Sequence, residues 1–460
     1  MTLKVHNPFN QEVIAELPYD TDTRIGDKID AARRTFEKWR WVSLEERIGY
    51  VKESLDYFRT NKAVIAEEIS RQMGKPINQS RNEFGGFFER AEHMLDIASD
   101  TLAPEILPDK IGFHRRIEHE PLGVVLDIAA WNYPLLIAVN VVIPALLAGN
   151  SVLLKHSART PLCGLHFEKA FGQQTPGLVQ NLILTHDHTL AMIRDGGVDH
   201  VVFTGSVPGG RAIHRAVAER FIDVGLELGG KDPAYIAEDA DLEFTVPNVV
   251  DGACYNAGQS CCAVERVYVH RNCYEAFIER SDTIMRQYRL EDPLDEETTM
   301  GPLASAQAPD YLDRQVADAE RRGAEVILGG RRSTVTAGNF YPPTLLTAVP
   351  NEAAVMQEES FGPLLPVLMV ENDQEALERM NDSRYGLTAS VWTADRERAE
   401  WFSRRLKVGT VYQNRCDYLD PALPWSGFGD SGKGSSLSGY GFLHLTRRKS
   451  IHFRTETGST

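Results

Sequence analysis

The rhythm of apolar and polar positions changes along this chain, and each change marks a different kind of element. Over residues 23–40, 44–61, 62–71 and 78–98 apolar side chains return every three to four positions, the spacing that lines one face of an α-helix, so four amphipathic helices are expected. From Pro121 onward the runs shorten. Stretches rich in β-formers at 123–129, 151–155, 178–184, 200–203 and 223–228 alternate with helical stretches at 134–147, 161–171, 188–194 and 209–220. Such alternation builds βαβ units around a parallel sheet buried on both faces, with the leading helices as its cover. After Gly258 a second series begins, with strands at 265–270, 325–328, 366–370, 387–392 and 409–413 and helices at 274–286, 304–321, 373–380 and 396–405. The expected fold class is therefore α/β, with two open-sheet domains in succession. Two further segments, 114–120 and 449–454, alternate polar and apolar residues at period two where neither sheet needs another strand. They read as a paired β-arm, either joining subunits through an exposed edge or lying as a ribbon on their own subunit.

Bulk properties remove several function classes. At 460 residues the chain is too long for one simple core, and 42% hydrophobic with 25% charged residues is ordinary for a globular protein. A formal net charge of -16 opposes a phosphate backbone, so no nucleic-acid partner is expected. No apolar run reaches the ~18–20 residues of a membrane span, and residues 1–20 lack the charged-then-apolar pattern of a secretion signal. No membrane partner and a cytoplasmic location are the expectation. Six cysteines show neither a disulfide framework nor paired Cys-x-x-Cys spacing, so no metal site is expected, and each is by default a small buried apolar residue.

Three stretches carry chemistry beyond that default. In Gly258-Gln259-Ser260-Cys261-Cys262-Ala263 small and polar residues lead into a vicinal cysteine pair, which would expose one thiol on a tight loop. A thiolate attacks carbonyl carbon, and its reactivity follows pKa and access. Upstream, Glu227 stands between apolar residues in Leu226-Glu227-Leu228-Gly229-Gly230-Lys231 at the end of an expected strand. Burial there raises a carboxyl pKa and suits a general base, although a structural role fits an isolated Glu equally well. Ala130-Trp131-Asn132-Tyr133-Pro134 closes a strand and opens a helix, the place where open α/β sheets present ligands. Asn132 there either caps the helix or offers its amide to an oxyanion.

In this order and spacing the motifs resemble the NAD(P)-dependent aldehyde dehydrogenase superfamily. The resemblance runs from Asn7-Pro8-Phe9 to Leu445-Thr446-Arg447-Arg448-Lys449 and is carried by six motifs. They are Pro121-Leu122-Gly123-Val124-Val125 with Trp131-Asn132-Tyr133-Pro134; Phe203-Thr204-Gly205-Ser206 with Gly210; residues 226–231; residues 258–263; Glu358-Glu359-Ser360-Phe361-Gly362-Pro363; and residues 424–434 with Gly439-Tyr440-Gly441. It implies two Rossmann-like domains, with residues 1–103 and 122–229 binding the dinucleotide, residues 230–427 forming the catalytic domain, and residues 104–121 with 444–457 forming the arm of a homodimer or homotetramer. It selects Cys261 over Cys262 as the nucleophile. The implied reaction oxidises a small-molecule aldehyde to its acid: the Cys261 thiolate adds, Asn132 and the Cys261 N–H hold the oxyanion, and Glu227 activates the water that hydrolyses the thioester. Glu227 favours hydrolysis over acyl transfer to coenzyme A, the competing reading on this scaffold, and its presence with Cys261 speaks against a non-catalytic homologue.

The coenzyme is expected to be NADP or NAD. Glycines between a strand and the helix from residue 209 let helix N–H groups receive a pyrophosphate. By resemblance Gly205, Ser206 and Gly210 line the dinucleotide with Trp131 and Leu228, Lys155 meets the adenosine ribose, and Glu359 and Phe361 place the nicotinamide end. Ala158 stands where NAD-preferring relatives carry glutamate. With Lys155, Ser157 and Arg159 nearby, NADP is favoured, unless Arg159 is a solvated helix-start charge. Val141 and Ser436 replace a lysine and an acid that assist proton movement in much of the family. Substrate choice is expected at Phe87, Phe88, Tyr133, Tyr255, Ser260 and the loop 415–423, where Arg415 either pairs a distal anion of a semialdehyde or salt-bridges Asp417 and Asp420. Asp417 and Asp420 themselves suit cationic or hydroxylated aldehydes. Small aliphatic and aromatic aldehydes also fit these walls.

Overall fold

The computed structural model describes residues 1–333 and 338–456. Residues 334–337, inside the expected second domain, and residue 457, the last of the expected arm, lie outside the described residues. The α/β expectation holds. A six-stranded sheet runs, in spatial order, Gly432–Lys433, Val224–Glu227, His200–Thr204, Val124–Ala129, Ser151–His156, Val179–Asn181, and is parallel apart from its first strand. A seven-stranded sheet runs Glu325–Leu328, Thr344–Thr347, Leu364–Val370, Val264–His270, Asp232–Ile236, Thr388–Trp392, Thr410–Gln413, and its first pair alone is antiparallel. No helix among the described residues is long and apolar enough to cross a membrane.

Several elements depart from the sequence expectation for physical reasons. Residues 44–61 and 62–71 belong to one helix, Leu44–Met73, opened by a Ser43–Glu46 capping box and closed by Gly74 at φ 83°. Asn61, the weak point in its polar pattern, is absorbed by a bond from its Nδ2 to the Tyr57 carbonyl. The central strand Asp232–Ile236 is missing from the sequence expectation because Asp232-Pro233 reads as a turn. In the fold Asp232 is buried and accepts a 2.6 Å bond from Thr388. Helix Leu242–Cys254 was hidden by Pro247 inside it, and helix Ala308–Arg321 starts four residues later than its pattern suggests.

The leading helices do cover the first sheet. Val51, Phe58, Phe84 and Phe87 join Val125 and Leu154 of the sheet and Val142 of helix Pro134–Ala148 in one buried cluster. Phe113–Pro121 and Thr446–Arg454 pair antiparallel over nine positions, from Thr446 opposite Pro121 to Arg454 opposite Phe113, and Glu105–Ile106 adds a third strand.

Asn150 ties the start of the first sheet to the C-terminal segment. It is fully buried; its Oδ1 accepts from the amides of Leu122 (2.7 Å) and Gly123 (3.0 Å), and its Nδ2 donates to the Leu445 carbonyl. Asn150→Ala strands three buried polar groups and is expected to lower unfolding free energy by about 2–3 kcal/mol. Urea titration checks this, and a loss below about 0.5 kcal/mol, the level of an ordinary surface change, would contradict it.

Candidate active site

The site begins at the point where strand order reverses. Val124–Ala129 connects to Ser151–His156 on one side and His200–Thr204 connects to Val224–Glu227 on the other, so a crevice opens beyond the carboxyl ends of the two central strands. Trp131 and Asn132 follow the first of these strands, Gly205 and Ser206 the second, and Glu227 ends the neighbouring one.

A cavity of about 540 Å³ lies there, lined by Asn132, Tyr133, Glu227, Tyr255, Ser260, Cys261, Cys262 and Arg415 among others. The structure thus gathers all three expected catalytic side chains with Tyr133, Tyr255, Ser260 and residues 415–419 of the expected loop. Phe87 and Phe88 are the exceptions. Helix Ile77–Thr101 turns Gly86, Glu89 and Arg90 to the cavity, while the Arg59 guanidinium sits 4.8 Å from the centre of the Phe88 ring and Phe87 is buried against Phe58. The error is a fraction of a helical turn, since positions 86 and 90 share a face that 87 and 88 do not.

The thiol loop is held by amides. Asn256 and Ala257 adopt left-handed backbone (φ 53° and 54°), and Gly258 follows at φ 72°. A Cβ on Gly258 would stand 2.3 Å from the Gly362 carbonyl, so only glycine lets the two loops meet. The Gln259 side chain receives the Ala304 amide and donates to the Asn256 carbonyl; Asn256 in turn donates to the carbonyls of Asn132 and Gln259. The two cysteines end in different surroundings. Cys261 is half-buried, whereas Cys262 is buried with its Sγ 3.0 Å from Asp417 Oδ1, and its pKa is pushed well up by the Cys261 contact and by burial. Of this vicinal pair, Cys261 combines access with a place on the cavity wall.

Asn132 does not cap helix Pro134–Ala148. The helix has no side-chain cap at Tyr133; Glu83 reaches across from the neighbouring helix and takes the first-turn amides of Leu135 (2.8 Å) and Leu136 (3.3 Å). One N–H of the Asn132 amide goes to the Gln259 carbonyl at 3.2 Å. An amide has two such donors, and among the described residues neither the second nor the Cys261 backbone N–H has an acceptor.

Burial raises the Glu227 pKa, opposed by the Ser436 hydroxyl, the Arg90 guanidinium and Thr204. Arg90 is a residue that sequence reasoning missed, because a charge on an amphipathic helix reads as its solvated face. It is 8% exposed and anchored by Nη1 to the Leu136 carbonyl and Asn140. Arg415 forms no ion pair among the described residues and lies 3.5 Å over the Tyr418 ring. Asp417 accepts instead from Ser260 at 2.8 Å and from Cys262.

The expected dinucleotide residues come from the carboxyl ends of the first sheet's strands and, for Glu359 and Phe361, from the loop before strand Leu364–Val370 of the second. Ser206 caps helix Val207–Val217. A Cβ on Gly210 would meet Leu228 at 2.5 Å, and one on Gly205 would meet Phe203 at 2.6 Å. Lys155 is 6% exposed, lacks a hydrogen-bond partner among the described residues, and has its pKa pushed down to about 8 by burial. A buried cation without a protein partner fits a polar ligand. Ser157 accepts from the Arg159 amide, Ala158 is exposed, and the Arg159 guanidinium lies 5.3 Å over Trp131 rather than in solvent. Phe361 meets Trp131 edge-on at 5.5 Å, and Glu359 folds over the Gly229-Gly230 pair, accepting the Gly230 amide.

Residues 1–451 match the sequence model of the aldehyde dehydrogenase family. The chain belongs to that family. An aldehyde dehydrogenase from Paenarthrobacter nicotinovorans is 34% identical over 94% of this chain and 95% of its own length. A succinate-semialdehyde dehydrogenase [NADP(+)] from Mycobacterium tuberculosis is 32% identical over 98% of this chain and 99% of its own. The crystal structure of lactaldehyde dehydrogenase from Escherichia coli superposes with a TM-score of 0.95 at 31% identity, covering 99% of this chain and 96% of that one. This aldehyde dehydrogenase is accordingly an NAD(P)-dependent oxidoreductase acting on aldehydes.

Asp417 gives the site a stability signature. Burial lifts its pKa from 3.8 to about 6 against the Cys262 and Ser260 bonds. A carboxyl with a raised folded-state pKa favours the fold below its unfolded pKa and loses that contribution as pH climbs to the folded value. Asp417→Asn keeps the acceptor without the charge, so its stability relative to the parent is expected to rise between about pH 4 and pH 6 and then level off. Thermal melts of both proteins across that range test this, and a pH-independent difference would contradict it.

Proposed function

We propose that this chain oxidises an aldehyde to the carboxylic acid through a Cys261 thiohemiacetal and thioester, with Glu227 activating the hydrolytic water. The observation that carries the reading is the shared cavity of Cys261, Asn132 and Glu227. The Cys261 thiolate adds to the carbonyl carbon, and the charge that forms on oxygen is met by the spare Asn132 N–H and the Cys261 N–H. The bound nicotinamide supplies the hydride acceptor. Glu227 then takes a proton from water as the water oxygen bonds to the acyl carbon, the C–S bond breaks, and the thiolate returns. Glu227 on the cavity wall supports hydrolysis over acyl transfer to coenzyme A.

Gly205, Ser206, Gly210, Leu228, Lys155 and Ser157 are the residues to hold the dinucleotide, with Trp131, Glu359 and Phe361 at its reactive end. NADP is favoured over NAD. The side chain of Ala158 sets no charge against a 2′-phosphate, and Lys155 and Arg159 supply positive charge beside it. Ala158→Glu is expected to cut kcat/KM for NADP+ by about tenfold or more while sparing NAD+, since like charges in contact cost several kcal/mol. Equal effects on the two coenzymes would remove this basis for selection.

For the substrate, the guanidinium groups of Arg90 and Arg415 in the lining favour a small semialdehyde whose far end is anionic. Asp251, Glu89 and Asp417 in the same lining favour the second reading, a cationic aminoaldehyde. The paired strands Phe113–Pro121 and Thr446–Arg454 are the seam we assign to subunit pairing. Absorbance of reduced coenzyme is measured with succinate semialdehyde, aminoaldehydes and aromatic aldehydes. Cys261→Ala is expected to lower turnover by about 10³-fold or more, and Glu227→Gln to stop after one equivalent per site. Aldehyde-dependent reduction persisting in Cys261→Ala would end the reading.

A further inference from the structure

Two opposite charges stand exposed on the lining of the main cavity, Glu89 on helix Ile77–Thr101 and Arg415 on the loop after strand Thr410–Gln413. They do not pair. Among the described residues Arg415 has neither an ion pair nor a hydrogen bond. Both meet one half-buried side chain instead. The Tyr418 hydroxyl donates to Glu89 Oε1 at 2.8 Å, and the Arg415 guanidinium carbon stands 3.5 Å over the centre of the same ring. The ring thus separates the two charges, its hydroxyl occupying the anion and its face holding the cation.

The backbone delivers Tyr418 to that place. Asp417 sits at φ 47° and accepts from Ser260 and Cys262 on the nucleophile loop, while the Tyr412 hydroxyl donates to the Tyr418 carbonyl. The loop therefore leaves from a fixed point beside Cys261. The other carboxylates at hand are committed elsewhere. Asp417 holds the nucleophile loop, Glu83 holds Lys75 and the amides of Leu135 and Leu136, and Asp420 accepts the Ala422 amide. Glu89, Arg415 and Asp420 are the charges that act on the Tyr418 hydroxyl, and of these Glu89 alone bonds to it.

We propose that Tyr418 is a specificity-determining residue: by keeping Glu89 and Arg415 apart, it leaves the Arg415 guanidinium free to receive the far carboxylate of an anionic aldehyde. This rests on the reading of the substrate as a small semialdehyde. Stacking fixes the plane of the guanidinium and leaves its N–H edges unused, so little side-chain freedom is lost when a carboxylate docks against them. Glu89, already engaged by the hydroxyl, has correspondingly less to offer a cationic aldehyde. Without that hydroxyl Glu89 turns to Arg415, and the two charges cancel.

The experiment measures kcat/KM of the full chain for succinate semialdehyde and for butanal, its neutral counterpart of equal chain length, and reads the ratio of the two. Tyr418→Phe keeps the ring and loses the hydroxyl. It is expected to lower the ratio about tenfold, as is Arg415→Met, the scale of one hydrogen bond to a charged group. Adding Glu89→Gln to Tyr418→Phe restores the parental ratio, because glutamine carries no charge to cancel the cation. In the Arg415→Met background Tyr418→Phe lowers the ratio no further, since the two changes act on one interaction. A parental ratio in Tyr418→Phe overturns the proposal. So does a loss that Glu89→Gln fails to relieve, since lost packing alone would persist in the double variant. If either result comes while Arg415→Met lowers the ratio, the role of Tyr418 alone fails. If Arg415→Met leaves the ratio at the parental value, the semialdehyde reading fails and takes this inference with it.

Discussion

The buried carboxylate of Glu265 is the constraint on which the site's geometry depends. Its Oε2 accepts from Lys231 Nζ at 2.6 Å and from the Ser360 amide at 2.7 Å, and its Oε1 accepts from the Phe361 amide at 2.9 Å. Lys231 also donates to the Ser360 hydroxyl. One side chain thereby locks three separate motifs: the segment carrying Glu227, the loop carrying Glu359 and Phe361, and the strand that begins three residues after Cys261. A buried pair of this kind contributes little net stability compared with apolar packing, while removing one partner costs about 3–5 kcal/mol. Its value here is positional. Phe361 sits at φ 51°, strain of about 1–3 kcal/mol that persists only where the surroundings over-determine it, and the Glu265 bond to its amide is part of that surrounding.

A second buried pair does comparable work on the opposite wall. Lys75 and Glu83 meet at 2.6 Å with both side chains almost wholly buried. Glu83 spends its other oxygen on the amides that open helix Pro134–Ala148. Helix starts leave such amides without partners, and the residue nearest to hand for satisfying them is usually the one just before the helix. Because a carboxylate from another helix fills that need, Asn132 is released from capping and its amide can face the cavity. The chemistry proposed for Asn132 therefore depends on Glu83, a residue with no hydrogen bond to the Cys261 loop among the described residues.

Much of this was legible in the sequence, and the pattern of what was not has physical causes. Cys261, Glu227 and Asn132 stand out because each is a polar or nucleophilic residue at a strand end or tight loop, and such positions carry side chains for chemistry rather than packing. The two-sheet architecture was readable from alternating periods. What escaped was everything decided by pairing across the chain. Asp232-Pro233 opens a central strand because Thr388 supplies the partner that makes a buried aspartate tolerable. Arg90 points inward because Leu136 and Asn140 receive it. Phe88 was assigned to the cavity because an aromatic on the covering helix passes for an entrance wall, whereas the packing of Phe84 and Phe87 and the inward bonds of Glu83 and Arg90 set the helix's rotation.

Arg90 and Glu227 together show how the cavity would set the strength of the base we propose. Burial alone would drive the Glu227 carboxyl towards its neutral form, which cannot take a proton from water. The Arg90 charge, with Thr204 and Ser436, pulls the other way, and burial still prevails. A carboxylate left in this balance ionises later than an exposed glutamate yet remains a stronger base once ionised, which is what abstraction of a proton from water requires. The cost is a desolvated guanidinium, whose own pKa falls for the same reason and is in turn supported by Glu227. Each charge makes the other's burial tolerable, so a change at either position acts on both, and the reactivity of the base cannot be separated from the integrity of the wall that holds it.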